Sequence, residues 1–399
     1  WSSPRALYWR HLFMQSSEKR KHSTAAVILA PVLIILLTLF AGEIMLRVYF
    51  NLFPPVNYLL LPADKAGLHI FEPSDNGGFY SVKPNYEQDF LNHEFRIDVR
   101  TNNIGLREDL DYLGEPVDIG FIGDSFTFGW GVEAGERYSD VVRDAFDDQL
   151  VLSYSYPNGH APAYYLSYLQ DHPEMIPRVL VLGLFAFNDL ASDTMDTEVL
   201  TDPQSGRIRQ LKSRTLEVDD HGFIVNRGET APRLFSADWF KRKTAIGRTY
   251  NVAKHKMKAS RGAIEKPGEL KPLDLGQFDE TALRALGHIS EIDQLARKND
   301  STLVVFYIPF ASDISDYPIC KYSAPSCEKI RENNALGESL TSWAQENRIH
   351  FIDPVSDFRS REQAGEKLYY HYDGHWTRQG HAAAGYLVEQ YLRAIPGGF

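Results

Sequence analysis

VDIGFIGDSFTFGWG, residues Val117 to Gly131, is the stretch from which the rest of the chain can be read. Val117, Ile119, Phe121 and Ile122 are β-branched or aromatic, as a buried parallel strand requires, and Gly123 ends the run with a residue that lets the backbone turn sharply. Ligands of open α/β sheets bind at that carboxyl end of the strands. Tyr138, Val141, Val142, Ala145 and Phe146 then follow helical spacing, so strand, turn and helix present Ser125 as a candidate nucleophile. Gly-Asp-Ser is also ordinary turn composition, and its chemical reading depends on what accompanies it.

Working outward, apolar runs of strand length recur at Val151–Tyr154, Val179–Phe185, Thr302–Ile308 and Ile349–Ile352, separated by helical segments such as Leu283 to Leu295. Strands alternating with helices predict an α/β fold with about five mostly parallel strands covered on both faces. Residues 192–271 break the alternation, are too long for an ordinary connection, and read as an insertion. Its segment FKRKTAIGRTYNVAKHKMKASR packs eight Lys and Arg into a predicted helix. A solvated helix face is the expected role of that segment, and contact with anionic lipid or an acidic polymer is the alternative.

The 399 residues are enough for one large domain with insertions or for two, and 43% hydrophobic content places the chain among folded globular proteins. A net charge of −11 argues against nucleic acid as the main partner. Residues 1–23 form a basic and aromatic segment, and Thr24 to Gly42 carries no charge, so residues 24–50 are expected to cross a membrane as one helix. Its length and the bulky Leu39-Phe40 favour an uncleaved anchor over a signal peptide. The preceding basic residues put the N-terminus in the cytoplasm and the rest outside the inner (plasma) membrane. Residues 51–79 read as a linker or lead-in, with the main domain over 80–399.

Three further stretches carry chemistry. Gly159, in LSYSYPNGHAP, is placed to offer its backbone N–H to a ligand, although a lone turn glycine is the commoner use. Asn188 follows the VLVLGLF strand and has a side chain able to donate to an oxyanion, although an asparagine there also serves as a helix cap. LYYHYDGHWTRQGH, Leu368 to His381, supplies Asp373 and His375, the carboxylate and imidazole that a serine nucleophile needs, with Thr377 capping the last helix. His371 and His381 remain open as alternative bases. No metal site and no cofactor is expected.

The order GDSF, glycine block, Asn-Asp, then Asp-Gly-His resembles the SGNH (GDSL-like) hydrolase superfamily from about Tyr80 to Leu392, including the lead-in RIDVRTNNIGLRED. The resemblance implies a three-layer, flavodoxin-like domain. It would make Ser125, Asp373 and His375 the catalytic triad, with the Ser125 and Gly159 N–H groups and the Asn188 side chain as the oxyanion hole. Many members place the histidine three residues after the aspartate. Here Trp376 stands at that position, and the two-residue spacing is similar to that of the envelope acyltransferase branches. The expected activity is that of a membrane-anchored serine esterase or O-acyltransferase acting on an acyl ester of an envelope glycan or lipid. The alternative is a non-catalytic subunit that binds an integral-membrane partner through residues 1–50. Cys320 and Cys327 are expected to be bridged, because the topology places them outside the cytoplasm.

Overall fold

The computed structural model describes residues 24–53, 67–74, 80–157, 161–186, 189–190, 197–228, 234–260, 280–315 and 335–395. Gly159, Asn188, Cys320 and Cys327 lie outside them, as does the basic segment 1–23.

The described residues open with helix α1 (Thr24–Leu52). Two antiparallel hairpins follow, β1 (Phe71–Pro73) with β2 (Tyr80–Val82) and β3 (Glu87–Leu91) with β4 (Arg96–Arg100). The central part then runs β5 (Ile119–Ile122), the single helical turn α2 (Ser125–Phe128), α3 (Tyr138–Ala145), β6 (Val151–Ser153), α4 (Pro162–Asp171) and β7 (Val179–Phe185). Hairpins β8 (Thr197–Thr201) with β9 (Ile208–Ser213) and β10 (Leu216–Val218) with β11 (Ile224–Asn226) come next, then α5 (Ala237–Lys243) and α6 (Ala245–Ser260). The chain closes with α7 (Glu280–Lys298), β12 (Thr302–Ile308), α8 (Ala311–Ile314), α9 (Ala335–Asn347), β13 (His350–Ile352), α10 (Val355–Gln363) and α11 (Arg378–Ala394).

Among the described residues the central sheet has five strands in the order β13-β12-β7-β5-β6, all parallel. Counted along the chain this is the flavodoxin-like order 2-1-3-4-5, with its switch point between β5 and β7. Every residue of β5 and β7 is buried, which a sheet permits only when both faces are covered. Helix α3 packs against α11 and α4 against α7, completing three layers.

Gly123 does not sit there because of its backbone angle, since its φ is not positive. A Cβ at Gly123 would stand 2.2 Å from Thr127 Oγ1, and one at Gly183 of β7 2.4 Å from the same atom. Both glycines therefore make room for Thr127, letting α2 press directly onto the strands.

A second core lies beside the sheet, formed by Leu68, Ile70, Phe71, Phe90, Ile97 and Val99 among others, and Phe128 of α2 belongs to it. Phe126, two residues earlier, belongs to the main core. The Ser125 turn is thus pinned from both sides.

Candidate active site

Ser125 is the first residue of α2, at the carboxyl end of β5 and beside the switch point. Asp124, fully buried, caps the turn by accepting the Phe126 N–H at 3.0 Å. Gly129 ends the turn at φ +81, a left-handed position that a glycine occupies without strain. At N1 the Ser125 N–H is not used by an intrahelical bond, which leaves it available to a ligand.

The second half of the site is the loop between α10 and α11. A bridge between Tyr369 and Trp376 closes it, Gly374 turns it at φ +84, and Thr377 caps α11 by accepting the Gly380 N–H at 3.3 Å. His375 Nε2 lies 2.8 Å from Ser125 Oγ, across 250 residues of sequence. On the other edge of the ring, Nδ1 lies 2.6 Å from Asp373 Oδ1. An ionised carboxylate can only accept, so Nδ1 carries the proton and Nε2 is left to accept from the serine hydroxyl. The imidazole packs on the Phe126 ring at 4.6 Å, while the Asp373 side chain is only 6% exposed.

The other two candidate histidines are placed elsewhere. His381 is fully buried in α11, accepts the Tyr138 N–H on Nδ1 at 3.3 Å, and burial pushes its pKa down to about 3. His371 is exposed, with its ring against Tyr372. Asp189, beside Asn188, is fully buried and accepts from Tyr165 Oη at 3.1 Å and from the Phe185 N–H at 2.8 Å. It ties Phe185, the last residue of β7, to Tyr165 of α4.

Sequence reading missed the β3–β4 hairpin, which supplies residues that hold the site. Asn92 Nδ2 and Trp130 Nε1 each donate to Asp373 Oδ2 at 3.3 Å. Glu94, in the hairpin turn, accepts the N–H groups of His371, Tyr372 and Asp373 at 2.7, 2.9 and 2.7 Å. The available signal was alternation: β3 and β4 bury every second residue, a period the sequence shows in QDFL and RIDV. The lead-in RED has an equally definite task. Arg107, buried, donates to the carbonyls of Phe128, Gly129 and Val132 at 3.0, 2.7 and 2.7 Å, shaping the loop that carries Trp130. Glu108 accepts from Arg137, Arg143 and the Ser153 N–H, locking α3 to β6. Among the described residues no cluster of His, Cys, Asp and Glu could hold a metal ion.

The doubly wound sheet with these two loops at its carboxyl edge is a three-layer α/β fold like that of the SGNH hydrolases. Residues 276–397, from α7 through α11 and including Asp373 and His375, match the family model described as SGNH hydrolase-like domain, acetyltransferase AlgX. Ser125 and β5 lie outside the matched stretch. Among solved structures, a member of the lipolytic protein G-D-S-L family from Veillonella parvula aligns at 12% identity and TM-score 0.37, covering 70% of this chain and 100% of its own. An acetylxylan esterase from Geobacillus stearothermophilus, in a catalytic mutant form, aligns at 10% identity and TM-score 0.35, covering 72% of this chain and 99% of its own. No curated protein matches the chain.

Proposed function

We propose that the protein is a membrane-anchored, extracytoplasmic serine esterase or O-acyltransferase that acts on an acyl ester of an envelope glycan or lipid. The observation that carries this reading is the continuous line from Ser125 Oγ through the His375 ring to Asp373, at 2.8 and 2.6 Å. In that reading His375 Nε2 takes the hydroxyl proton as Ser125 Oγ attacks the acyl carbonyl. The oxyanion is met by the Ser125 N–H, together with the Gly159 N–H and the Asn188 side chain. Collapse of the tetrahedral intermediate breaks the ester C–O bond, and His375 returns the proton to the leaving alcohol. Water or a sugar hydroxyl then attacks the acyl-serine, giving hydrolysis or transfer by the same chemistry.

The anchor is supported by Leu29–Leu52, which has mean hydropathy 2.4 and is exposed at every residue from 29 to 41. An apolar face of that size needs a cover other than water. Basic residues before it support an N-terminus in the cytoplasm.

The test is turnover of short-chain nitrophenyl esters by the detergent-purified full chain. Ser125→Ala is expected to lower kcat by about 10⁴-fold or more, with melting temperature unchanged. Equal turnover by the variant would remove Ser125 as nucleophile.

A further inference from the structure

Glu43 and Arg47, one turn apart on α1, pair with each other at 2.7 Å and also grip the insertion. The Glu43 carboxylate accepts the N–H groups of Ala245 and Ile246 at 2.9 and 3.0 Å, capping the start of α6. Arg47 donates to the Lys243 carbonyl at 3.0 Å, at the end of α5. Phe50 and Leu46 of α1 close over Ala245, and Gly42 faces Ile246. The junction of α5 and α6 is therefore clasped to α1 just where its charge-free run stops, which is the level of the outer bilayer interface if α1 spans.

What the insertion exposes there suits that level. Leu234 and Phe235 are 67% and 81% exposed, directly before the Ser236 cap of α5, and Phe240 and Tyr250 are also exposed. Phe235 holds φ +60, a left-handed conformation that is unfavourable for an aromatic residue and places it in the open. The last turn of α5 is Lys241-Arg242-Lys243, and residues 236–261 carry eight Lys and Arg on a chain of net charge −11. Aromatic and apolar tips interleaved with cations are the composition of an element that lies in a lipid headgroup layer.

We propose that α5 and α6 form a collar that rests on the anionic bilayer surface around α1 and sets the orientation of the catalytic domain above the membrane. The occupant of this surface is phospholipid: Leu234 and Phe235 enter the acyl boundary, and Lys241 and Lys243 meet headgroup phosphates. This rests on the anchor reading above.

The full chain, reconstituted into phosphatidylcholine vesicles with or without phosphatidylglycerol, tests it with benzoylphenylalanine placed at Phe235. Irradiation is expected to give a phospholipid adduct by mass spectrometry, with higher yield when phosphatidylglycerol is present. Lys241→Glu combined with Lys243→Glu is expected to lower that yield by on the order of tenfold. Adducts only to a second copy of the chain, or no adduct, overturn the collar, and a yield indifferent to phosphatidylglycerol and to charge reversal overturns its anionic partner. Alkaline carbonate extraction of the same vesicles separates the two readings. A chain that washes off defeats the anchor, whereas a chain that stays but captures no lipid defeats the collar alone.

Discussion

Asp373 owes its position to side chains nearly 280 residues earlier. Glu94 accepts three successive backbone N–H groups of the loop, so the loop cannot shift without leaving a carboxylate or several amides unpaired. Glu94→Ala is expected to lower kcat for nitrophenyl esters by about 100-fold with KM little changed, because a displacement near 1 Å is enough for that loss. Glu94→Gln, which keeps an acceptor oxygen, should recover part of it; a raised KM at unchanged kcat would point to a substrate contact instead. Asp373→Asn keeps the shape but presents an amide to Nδ1 and favours the wrong tautomer. Its kcat is expected to fall by about 10⁴-fold, again at unchanged melting temperature.

At the scale of elements, α2 is held by Thr127 against β5 and β7 and by Phe126 and Phe128 in two cores. Gly123→Ala would set a methyl group against Thr127 and the Gly183 carbonyl, at 2.2 and 3.0 Å. The expected result is a loss of about 1–3 kcal/mol in urea unfolding, together with lower activity as Ser125 is displaced. Helix α11 carries a pH effect through His381. Burial holds its pKa at about 3 against 6.5 in the unfolded chain. Between those values the unfolded state binds the extra proton, so stability is complete above 6.5 and falls by up to about 1.4 kcal/mol per pH unit on acidification. His381→Asn, which keeps an acceptor for the Tyr138 N–H without titrating, is expected to flatten the urea midpoint between about pH 6.5 and 4. An unchanged slope would assign the acid sensitivity to other groups.

At the scale of the whole molecule, detergent extraction followed by size analysis distinguishes an independent enzyme from a subunit of a membrane assembly. A lone chain in its micelle is the outcome expected of the proposed enzyme, and co-migration with another membrane protein would favour the subunit. The central sheet was legible in the sequence because β5, β7 and β12 are continuous apolar runs, and a strand buried on both faces has to be written that way. Ser125, Asp373 and His375 were legible as residue types that need one another. The two small hairpins before β5 were not, since strands of three to five residues with one wet face leave only a short alternation, which reads equally well as an extended lead-in. Three histidines lay within reach in the sequence of LYYHYDGHWTRQGH, and spacing could not choose among them. Packing chose, because α11 turns His381 into the core while the Asp373 hydrogen bond and the Phe126 ring hold His375 over Ser125. The sequence by itself determined the elements and the chemical groups, through local periodicity and residue type. Only the tertiary structure decided which groups meet, because hydrogen bonds between residues 94 and 373, or 125 and 375, depend on how distant segments close around two cores and leave no trace in local pattern.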